Sequence, residues 1–314
     1  MDSAYKINDP DIPDDLFEQI EYGSENMEQI ARKNKTFAAD AWGRFKKNPL
    51  AMFGLFALSI IVFFAIMGPI ISPHVYHRQN IENQYQGPSS EHWFGTDRFG
   101  RDLFVRVMYG ARISLTIGFA AAMISIGIGI VYGGTAGYFG GNLDVVMMRI
   151  VDIVAGIPSL CYVILIMLYL GSSVQSIVLA ICVSSWTRTA RVVRSQVLTL
   201  REQDFIMAAR SIGESNLEII RKHLVPNCLG PIIVTVSFLV PEAIFTEAFL
   251  SFLGIGIKVP MASLGSLAND AIPNLRSHPF LMFVPATVIS LTMFSLNFIG
   301  DGLRDSLDPK LKNR

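Results

Sequence analysis

Long uncharged runs alternate with short charged stretches along most of this chain. Residues 50–71 carry no charge, and neither do residues 113–139. Residues 153–187 are uncharged too, but that run is too long for one membrane crossing, and the "LGSS" at 170–173 divides it. The first of the two pieces should begin near Val145, and the second should run to about Val193. Residues 229–257, apolar apart from Glu242 and Glu247, and the uncharged residues 280–300 complete the set. A helix rises about 1.5 Å per residue and a bilayer core is about 30 Å thick, so a crossing takes roughly 20 apolar residues. The pattern therefore predicts an all-α, polytopic membrane bundle of six transmembrane helices.

This divides the chain into a polar tail over 1–48, a first span over 49–72 and an external connection over 73–112. A five-helix core over 113–303 follows, carrying a charged loop at 194–228, and 304–314 form a second tail. Within the external connection, "GTDRFGRD" suggests turns. Phe104, Val107, Met108 and Ala111 recur at i, i+3, i+4, i+7, the spacing of an interfacial helix. This segment is expected either to meet a partner or to form a lid over the bundle.

The charged loop has its own periodicity. Phe205, Ala208, Ala209 and Ile212 give a short helix one apolar face, and Gly213 sits where a left-handed helix cap is wanted. Ser215 with Glu218 is a capping-box pattern that starts a second helix, with Leu217, Ile220 and Leu224 along one side and Pro226 ending it. Helix, glycine corner, helix is the expectation. Phe205 would project as an apolar knob, suited either to a groove on another protein or to the bilayer and the chain's own bundle.

Composition agrees with the membrane assignment: of 314 residues, 51% are hydrophobic and only 17% charged. Net charge is zero, yet 19 of the 26 Lys and Arg residues fall on the side that holds both termini and loop 194–228, which makes that side cytoplasmic. Residues 1–28 are acidic and 30–48 basic. The basic block should face membrane lipid, with no nucleic-acid role, and the acidic stretch reads as a solvated tail with at most a short helix after Pro13. No cleavable signal is visible, and the first apolar run reads as an anchor.

Several kinds of chemistry are missing. There is no phosphate-cradling G-x-x-x-x-G-K-[ST] loop, no HExxH and no G-x-S-x-G. His74, His77, His92, His223 and His278 scatter over loops, and Cys161, Cys182 and Cys228 lack CxxC spacing, so no metal site, disulfide or enzyme activity is expected. Gly129, Gly133 and Gly137 line one helical face and should admit a close neighbour. Pro158, Pro241 and Pro285 should kink spans or border a pathway. Arg149 and Asp152 suit an i, i+3 ion pair.

Two acids lie within the fifth span. Glu242 is roughly 20 Å in from Leu229, where a charge must face protein or water, while Glu247 lies near the outer end. Five residues apart, they are about 140° around the helix and share no stripe. Both are candidates for a translocation pathway. For Glu242 the alternatives are a wet cavity, or a protonated or paired site between packed helices.

The loop sequence "AARSIG", followed nine residues later by "HLVP", resembles the E-A-A-x(3)-G-x(9)-I-x-L-P loop of ABC importer permeases. Ala208, Ala209, Gly213 and Pro226 match that pattern; Met207, His223 and Val225 replace its glutamate, isoleucine and leucine. "RFKKNPLAMFGL", "HWFGTDRFGRDLFVRVMYGARISL", "MMRIVDIVAGIPSL" and "GDGLRDSLDPKL" resemble the peptide-class permeases, and "FTEAFLSFLGIGIKVPMASLGSLANDAIPNL" is most similar to the second, C-type subunit of oligopeptide importers.

The resemblance covers nearly everything from Arg44 to Lys312. It implies the type I ABC importer permease fold in a bacterial cell membrane. The implied partners are a homologous second permease, two ABC ATPase subunits carrying ATP and Mg, an extracytoplasmic peptide-binding protein and a peptide substrate. No cofactor would be bound by this chain. Gln203, Asp204, Phe205, Met207, Ala208, Ala209, Arg210 and Gly213, with Pro226 closing the loop, would couple to an ATPase. The rivals are an ion-gradient transporter or channel, a sensory membrane protein that docks through its loop, and the same ABC architecture importing dipeptides or nickel.

Overall fold

The computed structural model describes residues 37–307; the acidic stretch and the last residues lie outside this range. The chain divides into two units, Met1–Asp40 and Ala41–Arg314. Twelve α-helices are found among the described residues. In order they are α1 (Phe37–Phe45), α2 (Pro49–Ile71), α3 (Leu103–Phe139), α4 (Gly141–Gly156), α5 (Ser159–Leu170), α6 (Val174–Arg201) and α7 (Asp204–Ser211). They continue with α8 (Asn216–Glu218), α9 (Val225–Asn227), α10 (Leu229–Phe252), α11 (Leu264–Ala271) and α12 (Phe280–Leu307). No strand forms among these residues beyond one bridge between Thr96 and Asp102.

Five helices (α2, α3, α6, α10 and α12) are long and apolar enough to cross a membrane, and α4 with α5 make a sixth if the bent pair counts as one span. The expected third span is thus broken. Ile157 is extended (φ −90°, ψ 129°) and Pro158 follows, so the two pieces meet at 78°. A proline lacks the N–H that a continuing helix would use, and it disfavours helical backbone in the residue before it. At about 1.5 Å per residue, α4 and α5 rise only about 24 Å and 18 Å. The division at "LGSS" is found as expected: Gly171 (φ +79°) ends α5, and the Ser173 hydroxyl caps α6 by accepting the Ser176 N–H.

The boundary expected near residue 113 is absent. The interfacial helix and the second span are one 37-residue helix, about 55 Å long, which outreaches a bilayer core. Its start is fixed by Asp102, whose carboxylate accepts the Val105 N–H at 2.9 Å. Likewise α2 begins where Asn48 Oδ1 accepts the Leu50 and Ala51 N–H groups, with Pro49 at the first helical position, where no N–H is needed.

Packing in the bundle depends on small residues. The buried stripe of α2 is Ala51, Gly54, Ala57, Ile61, Ala65 and Gly68, while Phe53, Phe56, Phe63 and Ile70 are exposed on its other face. Lipid tails are as apolar as these side chains, so burial alone gives little drive; close backbone approach supplies the dispersion contact instead. The same device joins α3 to α6. A Cβ on Gly129 would meet the Thr189 side chain at 2.5 Å, one on Gly133 would meet the Ala190 backbone, and one on Gly137 the Arg194 carbonyl at 2.9 Å. The expectation that these three glycines admit a neighbouring helix is met here.

The connection between α2 and α3 folds against the start of α3. Asp97 organises it: Oδ1 accepts the Phe99 and Arg101 N–H groups, and Oδ2 takes the Arg101 guanidinium at 2.7 Å and that of buried Arg106 at 3.3 Å. Gly100 has φ +66°, and a Cβ there would strike the Asn80 carbonyl, so no other residue fits this turn. Arg98 reaches Asp270 on α11 at 3.4 Å, which ties the connection to the segment before α12.

Candidate functional site: the loop between α6 and α10

Residues 202–228 form a built structure. Gln203 precedes α7 in extended backbone, and its carbonyl accepts the Ile206 and Met207 N–H groups. Asp204 stands in the first turn and Arg210 in the last, each complementing the helix dipole. At the other end Gly213 is left-handed (φ +86°), its N–H bonds to the Arg210 carbonyl, and the Glu214 N–H bonds to the Ala209 carbonyl. These two reversed bonds are a Schellman motif, which satisfies carbonyls the helix end would leave open. The capping box also forms: Ser215 Oγ receives the Glu218 N–H, and the Glu218 carboxylate receives the Ser215 N–H and hydroxyl. Those bonds from Ser215, with Lys222 at 3.1 Å, hold the Glu218 carboxyl down at about 2.

The second helical piece differs from the expected apolar side. Ile219–Leu224 is π-helical, between α8 and α9. Its i, i+5 register puts Ile219 and Leu224 together in the interior, whereas Leu217 is exposed. His223 closes the corner by pairing with Glu214 at 2.8 Å.

The first helix, α7, is fixed on one side and open on the other. Ile206 and Ala209 are buried, so Ala209 is a foot of the helix and does not belong to its outward face. Gln203, Asp204, Phe205, Met207, Ala208, Arg210, Ile212 and Gly213 are exposed, as is Pro226 beyond. Thus Phe205, Ala208 and Ile212 of the expected stripe, with Met207, form an apolar surface that this chain leaves uncovered.

The mount leads to the end of α3. The Tyr138 hydroxyl bonds to Asn216 Oδ1 at 2.7 Å, the Arg210 guanidinium lies 5.3 Å over the Tyr138 ring, and Arg201 donates to the Gly137 and Tyr138 carbonyls. Tyr138 carried no motif that sequence reasoning could single out.

A second polar feature climbs α6 from this end. Arg194 binds Asp144 of α4 with two parallel bonds, Arg191 binds Asp152 of α4 at 2.9 Å, and Arg188 binds Glu242 of α10 at 3.0 Å. Asp152 therefore pairs across helices with Arg191, in place of the expected Arg149. Exposure grows along the ladder: the Arg194 and Asp144 side chains are 32% and 11% exposed, those of Arg188 and Glu242 60% and 57%. An ion pair that open cannot face lipid without a cost of a few kcal/mol, so its surroundings are wet or proteinaceous.

Glu247, the other acid of the fifth span, is held differently. It is fully buried, its two oxygens taken by Ser114 at 2.6 Å and Ser251 at 2.8 Å. It pins α3 to α10 inside the chain.

The described residues thus form a bundle of apolar helices with one capped, outward-facing helical loop and an open ion-pair ladder, and the matches to known proteins place such a bundle among membrane transport subunits. Residues 107–313 match the family described as "Binding-protein-dependent transport system inner membrane component", and residues 36–88 match the "N-terminal TM domain of oligopeptide transport permease C". This chain belongs to that family of multi-pass permeases. It is 47% identical to the dipeptide transport system permease protein DppC of Bacillus subtilis, over 96% of this chain and 94% of that one. It is 45% identical to the oligopeptide permease OppC of the same organism, over 96% and 99%, and 42% identical to OppC of Escherichia coli K12, over 91% and 97%. The fold also matches an inward-facing structure of the MetNI methionine ABC transporter, with a TM-score of 0.54 at 18% identity over 65% of this chain and 96% of that one.

Proposed function

We propose that this chain is the C-type permease subunit of an ATP-driven importer that takes up oligopeptides handed over by an external binding protein. With a homologous second permease it would form the pathway, and two ATPase subunits would supply the ATP and Mg chemistry; the chain itself would bind no cofactor and catalyse nothing. Both termini and the α6–α10 loop would be cytoplasmic in a bacterial cell membrane, as the distribution of Lys and Arg supports.

The observation that carries this reading is α7: an apolar face open to a partner, on a helix whose buried foot and capped ends make it a rigid lever. Closure of the ATPase pair would push α7 as a body, and Ile206, Ala209 and the Tyr138 contacts would pass the motion to α3. Glu242 and Arg188, with Asp152 and Arg191, would line the wet pathway. Their paired charges suit the two termini of a zwitterionic peptide.

The test is purification from the native membrane in gentle detergent, with mass spectrometry of whatever stays attached. A second permease and two ATPases should accompany the chain, and Ala208→Trp should shed the ATPases without unfolding it. Recovery of the chain alone or as a homo-oligomer would remove the importer reading. Dipeptide import is a second reading, favoured by the 47% identity to a dipeptide permease; competition between dipeptides and longer peptides for uptake separates the two. Water-phase thiol labelling of Glu242→Cys tests the pathway, and a cysteine unreactive in every transport state would sink that assignment.

A further inference from the structure

The histidines scattered along the sequence are not all scattered in space. His74 follows the end of α2, His92 lies later in the same connection, and their ring centroids are 4.5 Å apart with the planes tilted by 30°. His92 Nδ1 lies 2.8 Å from Asp102 Oδ2, while the other oxygen of Asp102 caps α3. An ionised carboxylate can only accept, so in the neutral ring this bond places the proton on Nδ1 and leaves the lone pair on Nε2. His92 is 4% exposed, and its Nε2 is buried with no hydrogen-bond partner. Leaving such an atom unsatisfied costs about 1–3 kcal/mol. His74 repeats the arrangement: its Nε2 lies 3.1 Å from the Glu91 carbonyl, also acceptor-only, so its lone pair is on Nδ1.

Two imidazoles are therefore held side by side, each with its tautomer set by an acceptor on one nitrogen and the other nitrogen left to bind. One ligand-type atom from each of His74, His92 and Asp102 lies within 4.8 Å of the others. A carboxylate that takes the far proton of a histidine is the usual support of a metal-bound imidazole, fixing the ring and raising its basicity. We propose that His74 and His92 together bind one divalent transition-metal ion, with Asp102 as a positioning residue for the His92 ring. Imidazole nitrogens suit zinc, nickel and copper, whereas calcium and magnesium want oxygen ligands. Two nitrogens leave coordination positions for water or an incoming group. The ion would clamp the end of α2 to the cap of α3.

The whole chain, carrying a purification tag free of histidine and stripped with a chelator, would be titrated with zinc chloride by calorimetry and by thermal unfolding, and with cobalt chloride by visible absorption. One zinc per chain and a raised Tm are expected, with a cobalt spectrum typical of nitrogen ligation. His74→Ala should abolish binding, and because His74 is only partly buried this variant tests the site without emptying the interior. Asp102→Asn should weaken binding about 10- to 100-fold while its side-chain oxygen still caps α3, and His74→Cys should restore part of the affinity. No saturable zinc uptake at micromolar concentrations, or uptake unchanged in His74→Ala, would overturn the proposal.

Discussion

Replacing Gly133 by alanine adds one methyl group at the tightest part of the α3–α6 contact. Its Cβ would lie 3.0 Å from both the C and Cα atoms of Ala190, and nearer still to the carbonyl oxygen. Ordinary contact begins at 3.4 Å, and backbone cannot rotate away as a side chain can, so clearing the Ala190 carbonyl oxygen requires the two helices to part by roughly an ångström. Overpacking of this kind costs about 1–3 kcal/mol. Gly134 is the internal control, because a Cβ there meets nothing within 4 Å. Both substitutions share the gain of about 1 kcal/mol that alanine has over glycine in a helix, so it cancels between them. The expected difference of about 2 kcal/mol should place the Tm of Gly133→Ala about 4–8 °C below that of Gly134→Ala. Trp186 on α6 packs 4.7 Å from the Tyr132 ring on α3, and with Trp42 and Trp93 replaced by phenylalanine in both variants its fluorescence on heating in mild detergent reports this interface. Equal midpoints for the two variants would refute the claim that glycine is needed for close approach here.

Three further outcomes follow from the loop. Ile206→Asp buries a charge at a fully enclosed position and should cost several kcal/mol, seen as a lowered Tm and rapid proteolysis between α6 and α10, whereas Phe205→Ser on the open face should leave the Tm unchanged. Burial pushes the Cys228 thiol up to about 11, so at pH 8 Cys228 should resist maleimide while a Met207→Cys variant reacts; modification of Cys228 in the native chain would contradict its enclosed position. Glu218 is depressed from its ordinary 4.5 to about 2, so the capping box is fully present above 4.5 and is lost only as pH falls through about 2. Carboxyl-carbon NMR of Glu218 should titrate near 2, and a midpoint near 4.5 would mean that the Ser215 bonds do not form.

The helical membrane class was legible along the chain, because apolar runs near 20 residues have one stable solution in lipid, and so was the local punctuation. Gly213, the Ser215–Glu218 box, Gly171 with Ser173, and the glycines of α3 all act where short-range chemistry puts them, since caps and close-approach faces are fixed within a few residues of chain. Whatever depends on neighbours distant in sequence was settled by packing. Asp152 chose Arg191 over Arg149, five residues separated an enclosed Glu247 from an open Glu242, and Ala209 turned inward while Ala208 turned out. The 78° break at Pro158 and the unbroken α3 were likewise open, because a proline or a glycine allows a bend or a crossing without requiring it. The approach of His74 to His92 was the least legible of all: it needs the end of α2 and the cap of α3 to meet, and no pattern along the chain records that encounter.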